Sequence, residues 1–165
     1  MRNIMNTVTC PTPYWAAIPV TSRKTGKKNM EQYPLLFVYQ FLAHIMLAFG
    51  ASFKDILDFP PGSGFATKKQ KWCSDFNIPP GSTVISIGFF GDGVPLQQRS
   101  SIEVFSWNIC TIPGAARNLF TCIPKQDLCD CGCRGRCTID AILDFFQWSM
   151  LPLLTNEHPE ERHDG

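Results

Sequence analysis

Cys129-Asp130-Cys131-Gly132-Cys133-Arg134-Gly135-Arg136-Cys137 gathers four of the chain's eight cysteines into nine residues. Three strand-like segments come before this stretch. A helix-like one, Thr138 to about Leu151, follows it. The spacing predicts a metal loop held between a small sheet and its first helix. Cysteines at alternate positions of an extended loop project to one side. Gly132 and Gly135 let the backbone curl so that Cys137 closes the shell. Cys137 also meets the start of a helix, where the N-terminal dipole favours a thiolate. Zinc takes four such ligands in a tetrahedron, and a fourth thiolate leaves no open position, which implies a structural ion. Four thiolates on Zn²⁺ leave two negative charges, which Arg134 and Arg136 can offset; alternatively these arginines face phosphates. Free thiols and disulfides are the other readings of the same sulfurs. Bridges between alternate cysteines are strained, because disulfide geometry needs converging Cβ vectors. C-x-C-x-C-x3-C is not a standard finger spacing, and His158 or His163 of the tail is an alternative ligand. Cys10, Cys73, Cys110 and Cys122 are scattered and read as ordinary small residues. Together this favours a reducing compartment, nuclear or cytoplasmic, over a secreted disulfide framework.

Working outward, Ile139, Ile142, Leu143, Phe146 and Met150 follow the i, i+3, i+4 rule of an amphipathic helix. Thr138 suits its N-cap, Asp140 complements its positive end, and Pro152 limits its continuation. Upstream, Thr83–Phe90 is a β-rich apolar run. Ser101–Cys110 alternates, with Phe105, Trp107 and Ile109 on one face and Ile102, Val104, Ser106 and Asn108 on the other. Arg117–Ile123 reads as a third strand, joined to the second through Ile112-Pro113-Gly114 with turn chemistry. Short links favour antiparallel neighbours, so a three-stranded meander followed by a helix is expected at 83–152.

The first half of the chain is read more coarsely. Residues 1–33, with Pro11, Pro13 and Pro19 and a basic run at Arg23, Lys24, Lys27 and Lys28, read as an irregular lead-in. Residues 34–59 read as an apolar helical segment, with Pro34 at the first helical position and Gly50 at the stop. A run of about 15 apolar residues falls short of the roughly 20 that cross a bilayer. A buried helix is therefore favoured over a signal or anchor at 35–49. Residues 60–82 read as a Pro/Gly/Lys connector, with Trp72 and Phe76 pinning it to the core. Its Lys68, Lys69 and Lys71 lie beside aromatics and form a candidate single-strand nucleic-acid patch. Residues 153–165 read as a polar tail. The fold class is thus α+β: a helical N-terminal region, then the meander, the cysteine loop and a helix.

Composition sets limits on all this. Hydrophobic residues make up 44% and aromatics 12%, enough for one domain with a core. Fifteen basic against fourteen acidic residues give a formal charge of +1, which argues against a nucleic-acid-coating or membrane-surface protein.

Asp92 stands in Phe90-Gly91-Asp92-Gly93-Val94-Pro95, where the first strand is expected to end. Asp-Gly is a turn dipeptide, and that is the plain reading. A lone acid cannot hold the metal pair of two-metal phosphoryl chemistry. The ordered run GDGVP, SSIEVFSWNIC, ARNLFTCIPK and LCDCGCRGRCTIDAILDFFQWSM nevertheless resembles transposon-derived proteins with an RNase H-like core, of the DDE-type KDZ or a related group. The resemblance covers roughly residues 84–151. It implies that Asp92 is the first of three catalytic acids and that Cys129 to Cys137 is the family's cysteine-rich insertion. It also implies DNA as partner, with Mg²⁺ as cofactor only where a longer chain completes the acids. The second acid belongs after a fourth strand and the third on a later helix, and neither is found here. The expectation is therefore the front part of such a core, vestigial at Asp92 and inactive alone. A zinc-stapled module binding nucleic acid or protein is the alternative, and a membrane-associated or secreted protein using 35–49 the second. No small-molecule substrate is inferred.

Overall fold

The computed structural model describes residues 11–22, 25–97, 100–112, 114, 117–155 and 157. The chain opens with β1 (Tyr14–Thr21) and β2 (Lys28–Leu35), which pair antiparallel. Then come α1 (Val38–Phe49), a short 3-10 segment at Gly50–Ile56, and α2 (Gly64–Asp75). The second half holds β3 (Ile87–Gln97), β4 (Ser100–Ile109), β5 (Asn118–Pro124) and α3 (Arg136–Thr155). The three later strands form an antiparallel sheet in the order β3-β4-β5. The α+β class, the antiparallel meander and the helix after the cysteine loop thus agree with the sequence expectation.

The lead-in at 1–33 is not irregular where it is described. Ala16, Ile18 and Val20 alternate into the core, each about 1% exposed. That period-two pattern is strong enough to hold a strand despite Pro19. Proline is tolerated because the hairpin is a small edge unit that needs few amide donors. The Pro19 and Pro34 carbonyls still accept hydrogen bonds, from the Thr138 and Thr121 hydroxyls respectively. Pro34 accordingly lies in β2 and not at the first helical position, and α1 starts only at Val38. Its stop at Gly50, with φ +55°, is as expected.

The hairpin docks on the meander through β5. The Leu36 amide donates to the Phe120 carbonyl at 2.8 Å, and Thr121 Oγ1 donates to the Pro34 carbonyl at 2.8 Å. Phe105, Trp107, Ile109, Phe120 and Ile123 of the β3-β4-β5 sheet share one core with residues of α1 and α3. Phe41 stands edge-on to Trp107 at 5.7 Å, and Phe89 and Phe146 lie 4.0 Å apart, with Phe120 edge-on to Phe146. Among the described residues, no helix is long and apolar enough to cross a membrane. The apolar run at 35–49 instead supplies Leu35, Phe37, Val38, Leu42 and Ile45 to the core.

Five further expectations need correction. The connector at 60–82 contains α2, capped by Ser63 Oγ accepting from the Ala66 amide at 3.2 Å. Good helix formers outweigh the flanking Pro and Gly there. Trp72 and Phe76 do not pin it: both are exposed and lean on each other at 5.0 Å. The first strand starts at Ile87, not Thr83, and continues through Gly91-Asp92-Gly93-Val94-Pro95 instead of turning there. Finally, α3 buries Thr138, Ile142, Phe145 and Ser149, while Leu143 is 41% exposed. Its inner stripe is rotated from the expected one because apolar residues surround this helix, and two hydroxyls satisfied by backbone oxygens go inward. The helix runs through Pro152 to Thr155, so the polar tail begins later than residue 153. In the last turn, proline costs little of the helical ladder.

Trp107 is fully buried, so Trp107→Ala should cost about 3–5 kcal/mol in denaturant unfolding. Trp72→Ala, on α2, should change stability by no more than about 0.5 kcal/mol.

Candidate metal centre

The cysteine loop starts where β5 and a short 3-10 turn at Lys125–Asp127 deliver Leu128 beside β1. Two backbone amides fasten it. The Cys129 amide donates to Thr138 Oγ1 at 2.9 Å, and the Asp130 amide donates to Thr21 Oγ1 at 2.7 Å. Thr138 Oγ1 in turn donates to the Pro19 carbonyl at 2.6 Å. Thr138 is therefore not the N-cap. It lies inside α3, wholly buried, because its hydroxyl is needed between loop and strand.

The curl comes from residues with left-handed backbone: Gly132 at φ +88°, Arg134 at φ +56° and Gly135 at φ +84°. At Gly135 the conformation is reinforced by space, since a Cβ there would sit 3.3 Å from the Leu128 side chain. The Gly135 amide donates to the Cys129 carbonyl at 2.9 Å, and the Arg136 amide to the Cys133 carbonyl at 3.1 Å. The first turn of α3 grows directly from the second of these bonds. Cys137 thus sits within the helix's first turn rather than just ahead of it.

This geometry brings the Sγ atoms of Cys129, Cys131, Cys133 and Cys137 within 4.8 Å of one another. Cys131 and Cys137 Sγ are 3.7 Å apart. A tetrahedron of sulfurs 2.3 Å from a central zinc has edges of about 3.8 Å. The four sulfurs are therefore close enough to hold one metal ion. Cys129 is buried, Cys133 and Cys137 are half-buried, and Cys131 is exposed. Cys73, Cys110 and Cys122 are free thiols elsewhere in the fold. Cys10, His158 and His163 lie outside the described residues.

The thiols are unequal as acids. A hydrogen bond from the Cys137 amide pulls Cys133 down to about 6, although its own burial works the other way. The adjacent Cys133 sulfur pushes Cys137 up to about 12, with Cys131 adding to the effect. Burial raises Cys129. One amide at the helix start therefore favours the Cys133 thiolate in the metal-free loop, and a divalent cation would supply the charge that lets Cys129 and Cys137 ionise.

Asp92 lies mid-strand, opposite Val104, on an exposed stretch of β3. Among the described residues, the four cysteines come together as a metal-ligand group and Asp92 does not join one. The glycines beside it fit close neighbours across the strand. A Cβ on Gly91 would lie 3.3 Å from the Phe105 ring, and one on Gly93 3.4 Å from Glu103 Oε1.

The basic candidates are partly neutralised in place. Lys69 Nζ bonds Asp58 at 2.7 Å and the Leu57 carbonyl at 3.0 Å, and Lys71 pairs with Asp75 at 2.7 Å. Lys68 lies over the Phe65 ring at 5.9 Å. Arg136 Nε is 3.6 Å from Asp140, while Arg134 is exposed beside the sulfurs. Sequence reasoning missed Thr21 and Thr138 as loop anchors. Thr138 was legible as a polar residue at a helix start, but its tie to a strand over a hundred residues away was not.

Comparison with known protein families, curated proteins and solved structures found no match.

Two outcomes follow from the loop geometry. Gly135→Ala should destabilise the chain by about 1–2 kcal/mol, the left-handed penalty for a residue with Cβ, whereas Arg134→Gly should be neutral or stabilising; thermal unfolding compares them. In the metal-free chain at pH 7, iodoacetamide should label Cys133 before Cys137, because only the first is a thiolate there; peptide mapping over time reads the order.

Proposed function

We propose that Cys129, Cys131, Cys133 and Cys137 hold one zinc ion as a structural staple in an RNase H-like, transposon-derived chain that does not cut DNA by itself. The single observation that carries the zinc reading is the convergence of four sulfurs within 4.8 Å, in a loop fastened by backbone amides. All-sulfur coordination suits zinc and leaves no position for water or substrate, so the ion holds structure and performs no chemistry. Its place is consistent with that task. Cys129 and Asp130 touch the residues that join β1 to α3, and Cys137 belongs to α3 itself.

The transposase-like reading is supported by element order. Strand, strand, strand, cysteine loop and helix follow one another as in the resemblance, with Asp92 on the first strand of the meander. Among the described residues Asp92 joins no group of metal-ligating acids, and a lone acid cannot place two Mg²⁺ ions, hence the absence of activity in this reading.

Purified chain is expected to carry about one zinc by elemental analysis. A site filled at a thousand times its Kd adds about 4 kcal/mol. Strong chelation should then lower Tm by on the order of 8–16 °C for a chain of this size. A metal-free preparation with unchanged Tm would overturn the staple. With Mg²⁺ or Mn²⁺, the chain should leave DNA intact; cutting abolished by Asp92→Asn would overturn the inactive reading.

A further inference from the structure

The four sulfurs of the loop differ in what surrounds them. Cys129 is about 1% exposed. Cys133 Sγ is held 3.3 Å from the Cys129 carbonyl. Cys131 faces solvent, and its Sγ is 3.7 Å from that of Cys137, which is half-buried. One accessible sulfur thus has a specific neighbour, while Cys129 is buried and Cys133 half-buried.

We infer that the loop is also a thiol-oxidation site, where a peroxide joins Cys131 to Cys137 and expels the bound ion. This rests on the zinc reading above. The Cys131 thiolate attacks one peroxide oxygen, giving a sulfenic acid and releasing hydroxide. The Cys137 thiolate then attacks the Cys131 sulfur, forming the S–S bond and releasing the second hydroxide. Both hydroxides take protons from solvent and leave as water. Each sulfur gives up one electron, and the peroxide gains two. The ion keeps only Cys129 and Cys133 and passes to solvent.

The distance to close is small. A disulfide needs about 2.05 Å, and the sulfurs start 3.7 Å apart, within reach of a side-chain rotation. Gly132 and Gly135 supply the freedom the backbone needs between the two cysteines. The bonds that fasten the loop involve the Cys129 and Asp130 amides and not sulfur. Oxidation therefore leaves β1, the loop and the start of α3 attached, so that a thiol reductant restores the original site.

The test uses the full chain loaded with zinc and treated with equimolar hydrogen peroxide. A chromogenic chelator follows the released zinc. Blocking of free thiols, non-reducing digestion and peptide fragmentation then identify the bonded pair. The expected result is loss of zinc matched mole for mole by the Cys131–Cys137 bond, with both reversed by dithiothreitol. Zinc lost with another pair bonded, or with irreversible sulfinic acid instead, would overturn the inference. Elemental analysis before the peroxide is added separates the two readings. A chain that never holds zinc sinks the staple, whereas a zinc-loaded chain that releases its ion without forming the Cys131–Cys137 bond sinks the oxidation site by itself.

Discussion

The hydroxyl of Thr138 is where the two halves of the chain are tied. It gives its proton to the Pro19 carbonyl in β1 and receives one from the Cys129 amide. Both of its partners and the hydroxyl itself are in a dry environment, where an unmade hydrogen bond costs about 1–3 kcal/mol. The threonine also belongs to the first turns of α3. One oxygen therefore sets the distance between a strand near the start of the fold, the turn of the cysteine loop and the helix that closes the core. Thr21, from the same strand, adds a second tether one residue further along the loop. The sulfurs converge because the backbone on both sides of them is already held.

A metal ion held by the four sulfurs would complete an arrangement that hydrogen bonds have begun. Three nearly consecutive left-handed residues make the curl, and the amide of Cys137 favours one thiolate before any ion arrives. The ion would overcome the repulsion among the remaining sulfurs. The tethers themselves run through amides and hydroxyls and not through the sulfurs.

The second half of the chain was far more legible than the first, and for a physical reason. The meander's strands carry their own period-two signal, and the cysteine spacing carries its own chemistry, so both can be read from local sequence. The hairpin's signal, Ala16-x-Ile18-x-Val20, was equally local but was masked by three prolines whose effect depends on which strand edge they face. Asp92 was misread for a similar reason. Gly on either side normally breaks a strand, yet here the glycines answer to Phe105 and Glu103 on the neighbouring strand, which sequence does not reveal. The helix α2 was hidden by the opposite circumstance: it buries no residue, so no amphipathic stripe announces it, and only the Ser63 cap was there to find.

The placement of Asp92 also bears on how the chain behaves in a crowd. β3 is the outer strand of its sheet, eleven residues long, with one row of backbone groups turned away from β4. Such a rim is a template for stacking strand on strand with other molecules. A carboxylate at its midpoint would meet its own like charge in a symmetric antiparallel stack, and Pro95 offers no amide for the ladder. Charge and proline at that rim work against such stacking.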